Sequence, residues 1–208
     1  MVILAIDTST PHGSVAVLRG STIATVEEFT ADRSHSSSLF SVLERLREMA
    51  SRYDRIVIGL GPGSYAGIRI AIAAAMGISL TQGSELLGIP SVAALQTDLS
   101  DYVAIGDARR DTFYWTTVRA GVCVEGPLLL TEADLKARIA AETLPLLATE
   151  PVAVAPHAVV ALPSAARLAR LAAAETGIIQ RGDLEPIYLR EPYITQSKKP
   201  ASLVPRSA

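Results

Sequence analysis

The chain opens on an unbroken apolar run, Val2-Ile3-Leu4-Ala5-Ile6, that ends at Asp7. A run this short and rich in β-branched residues predicts a strand buried on both faces. Asp7-Thr8-Ser9-Thr10-Pro11-His12-Gly13 reads as a turn. Ser14 to Leu18 and Thr22 to Phe29 then read as strands joined by Arg19-Gly20-Ser21, completing a three-strand meander. Ser34 to Ser38 supplies several capping hydroxyls for a helix. Leu39, Val42, Leu43, Leu46, Met49 and Ala50 follow at helical spacing, with Arg45, Arg47 and Glu48 on other faces. Arg55 to Ile58 predicts the next strand, Gly59 to Gly67 a Gly-rich turn and Ile68 to Leu80 a second helix. Leu87 to Ile89 predicts a short strand and Ser91 to Gln96 the start of a third helix.

At Tyr102 the order restarts. Val103-Ala104-Ile105-Gly106-Asp107 is again an apolar strand ending in aspartate, followed by strands at Thr112 to Val118 and Val122 to Leu129. Thr131-Glu132-Ala133-Asp134 has the form of a cap opening a helix. Val152 to Ala155 is expected to be a strand and Ser164 to Glu175 an Ala-rich helix. A repeated unit of strand, terminal Asp, turn, two strands and helix is the plan of the duplicated actin-like, sugar-kinase and Hsp70-type (RNase H-like) α/β fold, two small domains of mixed sheet with flanking helices. The expected division is 1–100 and 101–195, with a polar, Pro-containing tail at 196–208 expected to be disordered. Leu203-Val204-Pro205-Arg206 within that tail reads either as native sequence or as part of a protease-cleavage tag.

Composition narrows the function classes. Hydrophobic residues make up 49% of the 208 residues but aromatics only 5%, so aliphatic side chains must fill the core. A net charge of -2 disfavours strong RNA binding by this chain alone. The single cysteine, Cys123, has no partner for an intramolecular disulfide, which fits a reducing, cytoplasmic setting. The first apolar run is too short for a signal segment, and no stretch is long enough to span a bilayer.

Four features carry candidate chemistry. Asp7, Thr8 and Ser9 stand at the end of a strand, where α/β sheets open their ligand crevice. They either cradle a phosphate, with Asp7 holding a metal or water, or bond the backbone of a tight turn. Gly59-Leu60-Gly61-Pro62-Gly63-Ser64-Tyr65-Ala66-Gly67 opens a helix, so it is either an anion site or a turn for close packing; its spacing is neither a dinucleotide fingerprint nor a P-loop. The helix after it has almost no polar face, whereas a surface helix is apolar along one stripe. Something besides its own sheet must cover it, either another element of the same subunit or a second subunit. The expected interface comprises Leu39, Val42, Leu43 and Leu46 with Ile68, Ala71, Ala74, Ala75 and Ile78. Lastly, Asp107-Ala108-Arg109-Arg110-Asp111 reads as an ion-pair cluster at a strand exit. His12, His35 and His157 are scattered without metal-ligand spacing, and neither Ser9 nor Ser64 has an identifiable relay.

Taken in order, Ile3-Leu4-Ala5-Ile6-Asp7-Thr8-Ser9, Arg33-Ser34-His35-Ser36, Gly61-Pro62-Gly63-Ser64-Tyr65-Ala66-Gly67-Ile68-Arg69, Asp107-Ala108-Arg109-Arg110 and Pro186-Ile187-Tyr188-Leu189-Arg190 resemble the TsaB (YeaZ) family. The family usually reads Phe-Thr-Gly-Leu-Arg where this chain has Tyr65-Ala66-Gly67-Ile68-Arg69. The resemblance implies a non-catalytic partner of TsaD, which transfers a threonylcarbamoyl group to N6 of the adenosine beside the tRNA anticodon. It implies docking on TsaD through helices of the N-terminal domain, a homodimer when alone, TsaE as a further component, and tRNA met only through the complex. It also implies that ATP is used by the complex and that this chain needs no cofactor of its own. The competing expectation is a small ATP-dependent phosphotransferase or hydrolase using Asp7 and the Gly59–Gly67 loop.

Overall fold

The computed structural model describes residues 1–30, 35–47 and 52–190. Arg33, Ser34, Glu48, Met49, Ala50 and everything after Arg190 lie outside the described residues. The first half forms β1 (Val2–Asp7), β2 (His12–Arg19), β3 (Thr22–Thr30), α1 (His35–Arg47), β4 (Arg55–Gly59), α2 (Tyr65–Gln82) and β5 (Glu85–Ile89). β1, β2 and β3 make an antiparallel meander, with Val2 opposite Arg19 and Asp7 opposite Ser14. β4 lies parallel to β1, and β5 parallel to β4.

The second half repeats the scheme with β6 (Asp101–Asp107), β7 (Thr112–Arg119), β8 (Val122–Thr131), α3 (Glu132–Ala141), β9 (Leu146–Ala148) and β10 (Val159–Val160). Its strand order, β10-β9-β6-β7-β8, reproduces the order β5-β4-β1-β2-β3, with the same parallel and antiparallel neighbours. This is the duplicated actin-like α/β fold. α3 begins at Thr131, whose hydroxyl accepts from the Asp134 amide as the cap motif requires.

The chain then returns to the first sheet. α4 (Ala165–Ala173) is capped by Ser164 and packs across β1, β2 and β4. Its Ala165, Leu168, Ala169 and Ala172 meet Ile3, Ala5, Ala16, Leu18 and Val57 on one face of that sheet. α1 and α2 cover the opposite face, over Leu4, Ile6, Val15, Val17, Ile56 and Ile58. Burial from both sides is why β1 is apolar at every interior position rather than at alternate ones. β11 (Gln180–Arg181) adds antiparallel to the outer side of β5. A ring of charges fastens it there: Arg55 pairs with Glu85 and Glu175, and Arg181 pairs with the same two carboxylates.

Two expected elements differ. Ser91 to Ala94 is one turn of 3-10 helix, not the start of a longer helix. The Gln96 amide bonds the Leu162 carbonyl, and Leu95 bridges Pro163, so the chain is drawn out straight toward the second half. Val152 to Ala155 is a turn and not a strand. The Ala155 amide closes on Val152, and both side chains drop into the second core. The strands of that region are β9 and β10, on either side of it.

Candidate functional site

The halves meet at a cleft of about 830 Å³. It opens beyond the carboxyl ends of β1 and β6, the place where α/β sheets hold ligands. One wall comes from the turn Ser9–His12 and from Pro62–Tyr65, the other from Gly106–Arg109, Tyr114 and Thr149–Pro151, and Pro186–Arg190 crosses beside both.

Asp7 stands below the cleft floor and does not line it. Its side chain is 1% exposed. Oδ1 accepts from the Ser9 amide at 2.9 Å and the Ser9 hydroxyl at 2.7 Å. Oδ2 has no hydrogen-bond partner and presses against Gly59, where an added Cβ would lie 1.8 Å from it. Burial pushes the carboxyl pKa upward, against the opposing effect of Ser9 and Ser91.

The Gly-rich loop seals this turn. The Ser64 amide donates to the Ser9 carbonyl at 2.6 Å, and a Cβ at Gly63 would sit 2.1 Å from that same oxygen. Only glycine lets the two backbones come so close. The Thr8 hydroxyl donates to the Gly67 carbonyl at 2.8 Å. The Ser64 hydroxyl caps α2 by accepting from the Gly67 amide. The structure thus brings together Asp7, Thr8, Ser9 and the loop, but each uses its polar groups on the other. The amides of Ser9 and Ser64, which a phosphate would need, are already bonded.

At the cleft mouth, Tyr65 and Tyr188 stack with ring centroids 5.5 Å apart and planes tilted by 39°. The Arg69 guanidinium lies 5.1 Å from the Tyr65 centroid and also bonds its hydroxyl. Arg109 pairs with Asp107 at 3.3 Å, as the sequence cluster suggested. Arg190 bonds the Thr112 hydroxyl and the Arg109 carbonyl.

The outer surface of α1 and α2 is the second place of interest. Leu39, Val42, Leu46, Ile68, Ala71, Ala74 and Ala75 are buried in this chain's own core, and Leu43 and Ile78 are half-buried beside it. The positions that α2 turns outward are Tyr65, Ala66, Arg69, Ala73, Met76, Gly77, Leu80 and Thr81. Leu80 is 86% exposed, Met76 44%, and Phe40 on α1 53%. Between the helices lies a groove of about 340 Å³, lined by Phe40, Leu43, Ala74 and Ile78 and edged by Glu44 and Arg47. Periodicity missed this face because α2 is apolar all round. Its lone charge, Arg69, and its lone mid-helix glycine, Gly77, mark the outward side.

Comparison with known proteins agrees with this geometry. The family model of TsaD, tRNA N6-adenosine threonylcarbamoyltransferase, matches residues 28–125, which include α1 and α2. An uncharacterized protein of Mycobacterium tuberculosis is 33% identical over 204 residues, covering 91% of this chain and 92% of that one. The tRNA threonylcarbamoyladenosine biosynthesis protein TsaB of Escherichia coli is 27% identical over 164 residues, 74% of this chain and 71% of that one. The chain belongs to the TsaB family.

A solved TsaB-like structure agrees in fold. The crystal structure of an uncharacterized Pseudomonas aeruginosa protein with similarity to peptidase YeaZ superposes with a TM-score of 0.75 at 25% identity, over 91% of this chain and 99% of that one. In this cleft the Ser9 hydroxyl donates to Asp7 and the Ser64 hydroxyl accepts from the Gly67 amide; among the described residues no three His, Cys, Asp or Glu side chains gather to hold a metal.

Proposed function

We propose that this chain serves tRNA threonylcarbamoyladenosine biosynthesis as a non-catalytic subunit that docks on TsaD through the outer face of α2 and the adjoining part of α1. The observation that carries the reading is that face. Met76 and Leu80 are exposed apolar side chains on α2, and Phe40 is exposed on α1 at the groove between the two helices; apolar side chains gathered on a helix face are what a partner would cover. The small positions of that face, Ala66, Ala73 and Gly77, allow a second helix to approach closely. The TsaD family-model match over the same helices supports a shared pairing surface. The same face serves a homodimer when TsaD is absent. TsaE and tRNA join through the assembled complex, ATP is consumed by the complex, and this chain needs no cofactor of its own. The rival phosphotransferase or hydrolase reading loses support at Asp7, which does not line the cleft and is buried between Ser9 and Gly59.

The test is co-purification of this chain with its TsaD. Leu80→Glu places a carboxylate where the partner must exclude water, which should weaken the pairing at least about tenfold. Leu80 is so exposed in the monomer that the fold should be untouched. Undiminished pairing of a folded Leu80→Glu chain would move the docking surface elsewhere.

A further inference from the structure

At the mouth of the interdomain cleft Tyr65 packs against Tyr188 in a tilted pair, and the Arg69 guanidinium lies against the Tyr65 ring. The two tyrosines are far apart in sequence, Tyr65 at the first turn of α2 and Tyr188 on the segment that crosses the cleft. Tyr65 is 47% exposed and Tyr188 43%, so neither side chain is closed off from water. A buried tyrosine pair packs a core; this pair, partly exposed at a cleft mouth beside a guanidinium, keeps aromatic surface open to a ligand. Arg109 and Arg190 stand on the other side of the same cleft, Arg190 held in place by Thr112 and by the Arg109 carbonyl.

We infer that this patch takes an unpaired nucleobase of RNA, stacked on Tyr188, with the adjoining backbone phosphate near Arg109. Unpaired bases are recognised by stacking on tyrosine rings and arginine planes, whereas paired bases keep their faces hidden. The charges argue for a contact led by stacking. Arg69, Arg109 and Arg190 stand against Asp107, which already pairs with Arg109, and Glu150, so the mouth is only weakly positive. This fits a chain of net charge -2 that adds one contact to an RNA held mainly by another subunit. The inference rests on the tRNA reading above and deepens it by naming where this chain meets the RNA.

The experiment measures binding of a labelled tRNA anticodon stem-loop by fluorescence anisotropy. The chain is used in its complex with TsaD, carrying its natural Tyr188, Tyr188→Ala or Tyr188→Phe. A fully paired RNA of equal length and adenosine monophosphate serve as competitors. The expected result is about a tenfold loss for Tyr188→Ala, retention within about twofold for Tyr188→Phe, and a shallow dependence on salt. Circular dichroism confirms folding of both variants. Equal binding by the complex carrying Tyr188→Ala, or equal competition by the paired RNA, overturns the inference. Full competition by the mononucleotide at equal concentration overturns it too, and assigns the patch to a free nucleotide. TsaD co-purification with the Tyr188 variants is read separately. Its loss in the natural chain counts against the TsaB-type docking, whereas its retention beside unchanged RNA binding counts against the RNA patch alone.

Discussion

Asp7 is a carboxylate with almost no water around it, one oxygen bonded twice by Ser9 and the other with no hydrogen-bond partner. Its raised pKa makes a prediction with a definite sign. Between the unfolded value, near 3.9, and the raised folded value, the folded chain holds a proton that the unfolded chain has lost. Folding stability from this group is therefore full below the unfolded value and falls as pH rises through that window. Asn at this position keeps the carbonyl that Ser9 needs and carries no charge to desolvate. Asp7→Asn should therefore remove this part of the pH dependence and be at least as stable as the natural chain at neutral pH. Thermal melts of the two proteins across acid to neutral pH read the difference. A clearly lower melting temperature for Asp7→Asn at neutral pH would mean that the charged form is used in the fold or the function. The sequence alone leaves Asp7, Thr8 and Ser9 open between phosphate binding and turn bonding, because both uses need the same residue types. The bonds from Ser9 to the carboxylate, and the approach of Gly63 from more than fifty residues away, leave no trace in the local sequence.

Among the elements, α2 carries the sharpest tension between fold and docking. Gly77 sits inside an 18-residue helix, and a Cβ there would meet nothing within 4 Å in this chain. Glycine costs about 0.5–1 kcal/mol relative to alanine in such a position, so the fold alone gives no reason for it. Gly77→Ala should raise thermal stability of the isolated chain while weakening TsaD pairing or homodimerisation by several-fold, read by sizing chromatography and co-purification. Higher stability with unchanged association would mean that no helix crosses at Gly77. α4 behaves oppositely, as an element committed to the core. Leu168 is fully buried against the first sheet, and Leu168→Ala should cost about 2–5 kcal/mol in denaturant unfolding. A loss well under 1 kcal/mol would mean that the sheet face closes without it. The meander strands, α3 and α4 were legible because each carries its own period, cap or turn. The two short strands β9 and β10 were not, since each exists only by pairing with a distant neighbour. The turn at Val152 to Ala155 imitated a strand because both of its buried side chains face one core. For α2 the helix was legible but its facing was not, since a helix apolar all round has no moment to read.

At the scale of the whole molecule, the two sheets are tied by chain that belongs to both. The Ala165 amide bonds the Ser14 hydroxyl at 2.9 Å, and Arg167 reaches the Thr97 carbonyl. Near the end of the described chain the Ile187 amide bonds the Leu60 carbonyl, while Leu189 joins the core of the second half. Such cross-ties predict one cooperative thermal transition, with calorimetric and van't Hoff enthalpies in agreement. Two resolved transitions would show that the halves unfold as separate units. The duplication was visible in the sequence because the apolar strands ending in Asp7 and Asp107 recur. The return of α4 and β11 to the first sheet was not, because contacts between distant segments leave no local period.

The two-residue strand β11 has a consequence out of proportion to its length. Without it β5 would end the sheet with a row of unpaired amides and carbonyls flanked by apolar side chains, a template on which another chain can add a strand. The far edge, β3, protects itself with Glu27 and Glu28 among its threonines. β5 has only Glu85, and relies on β11, through the bonds from Ile179 to Gly88 and from Gly182 to Leu86, and on the ring of two arginines and two glutamates. The ring works as a clasp whose grip weakens in salt. Proteolytic nicking near residue 176, or truncation before it, should therefore do more than loosen a terminus. It should convert a well-behaved chain into one that assembles edge to edge, detectable as concentration-dependent growth in light scattering and a rise in β-aggregate dye binding.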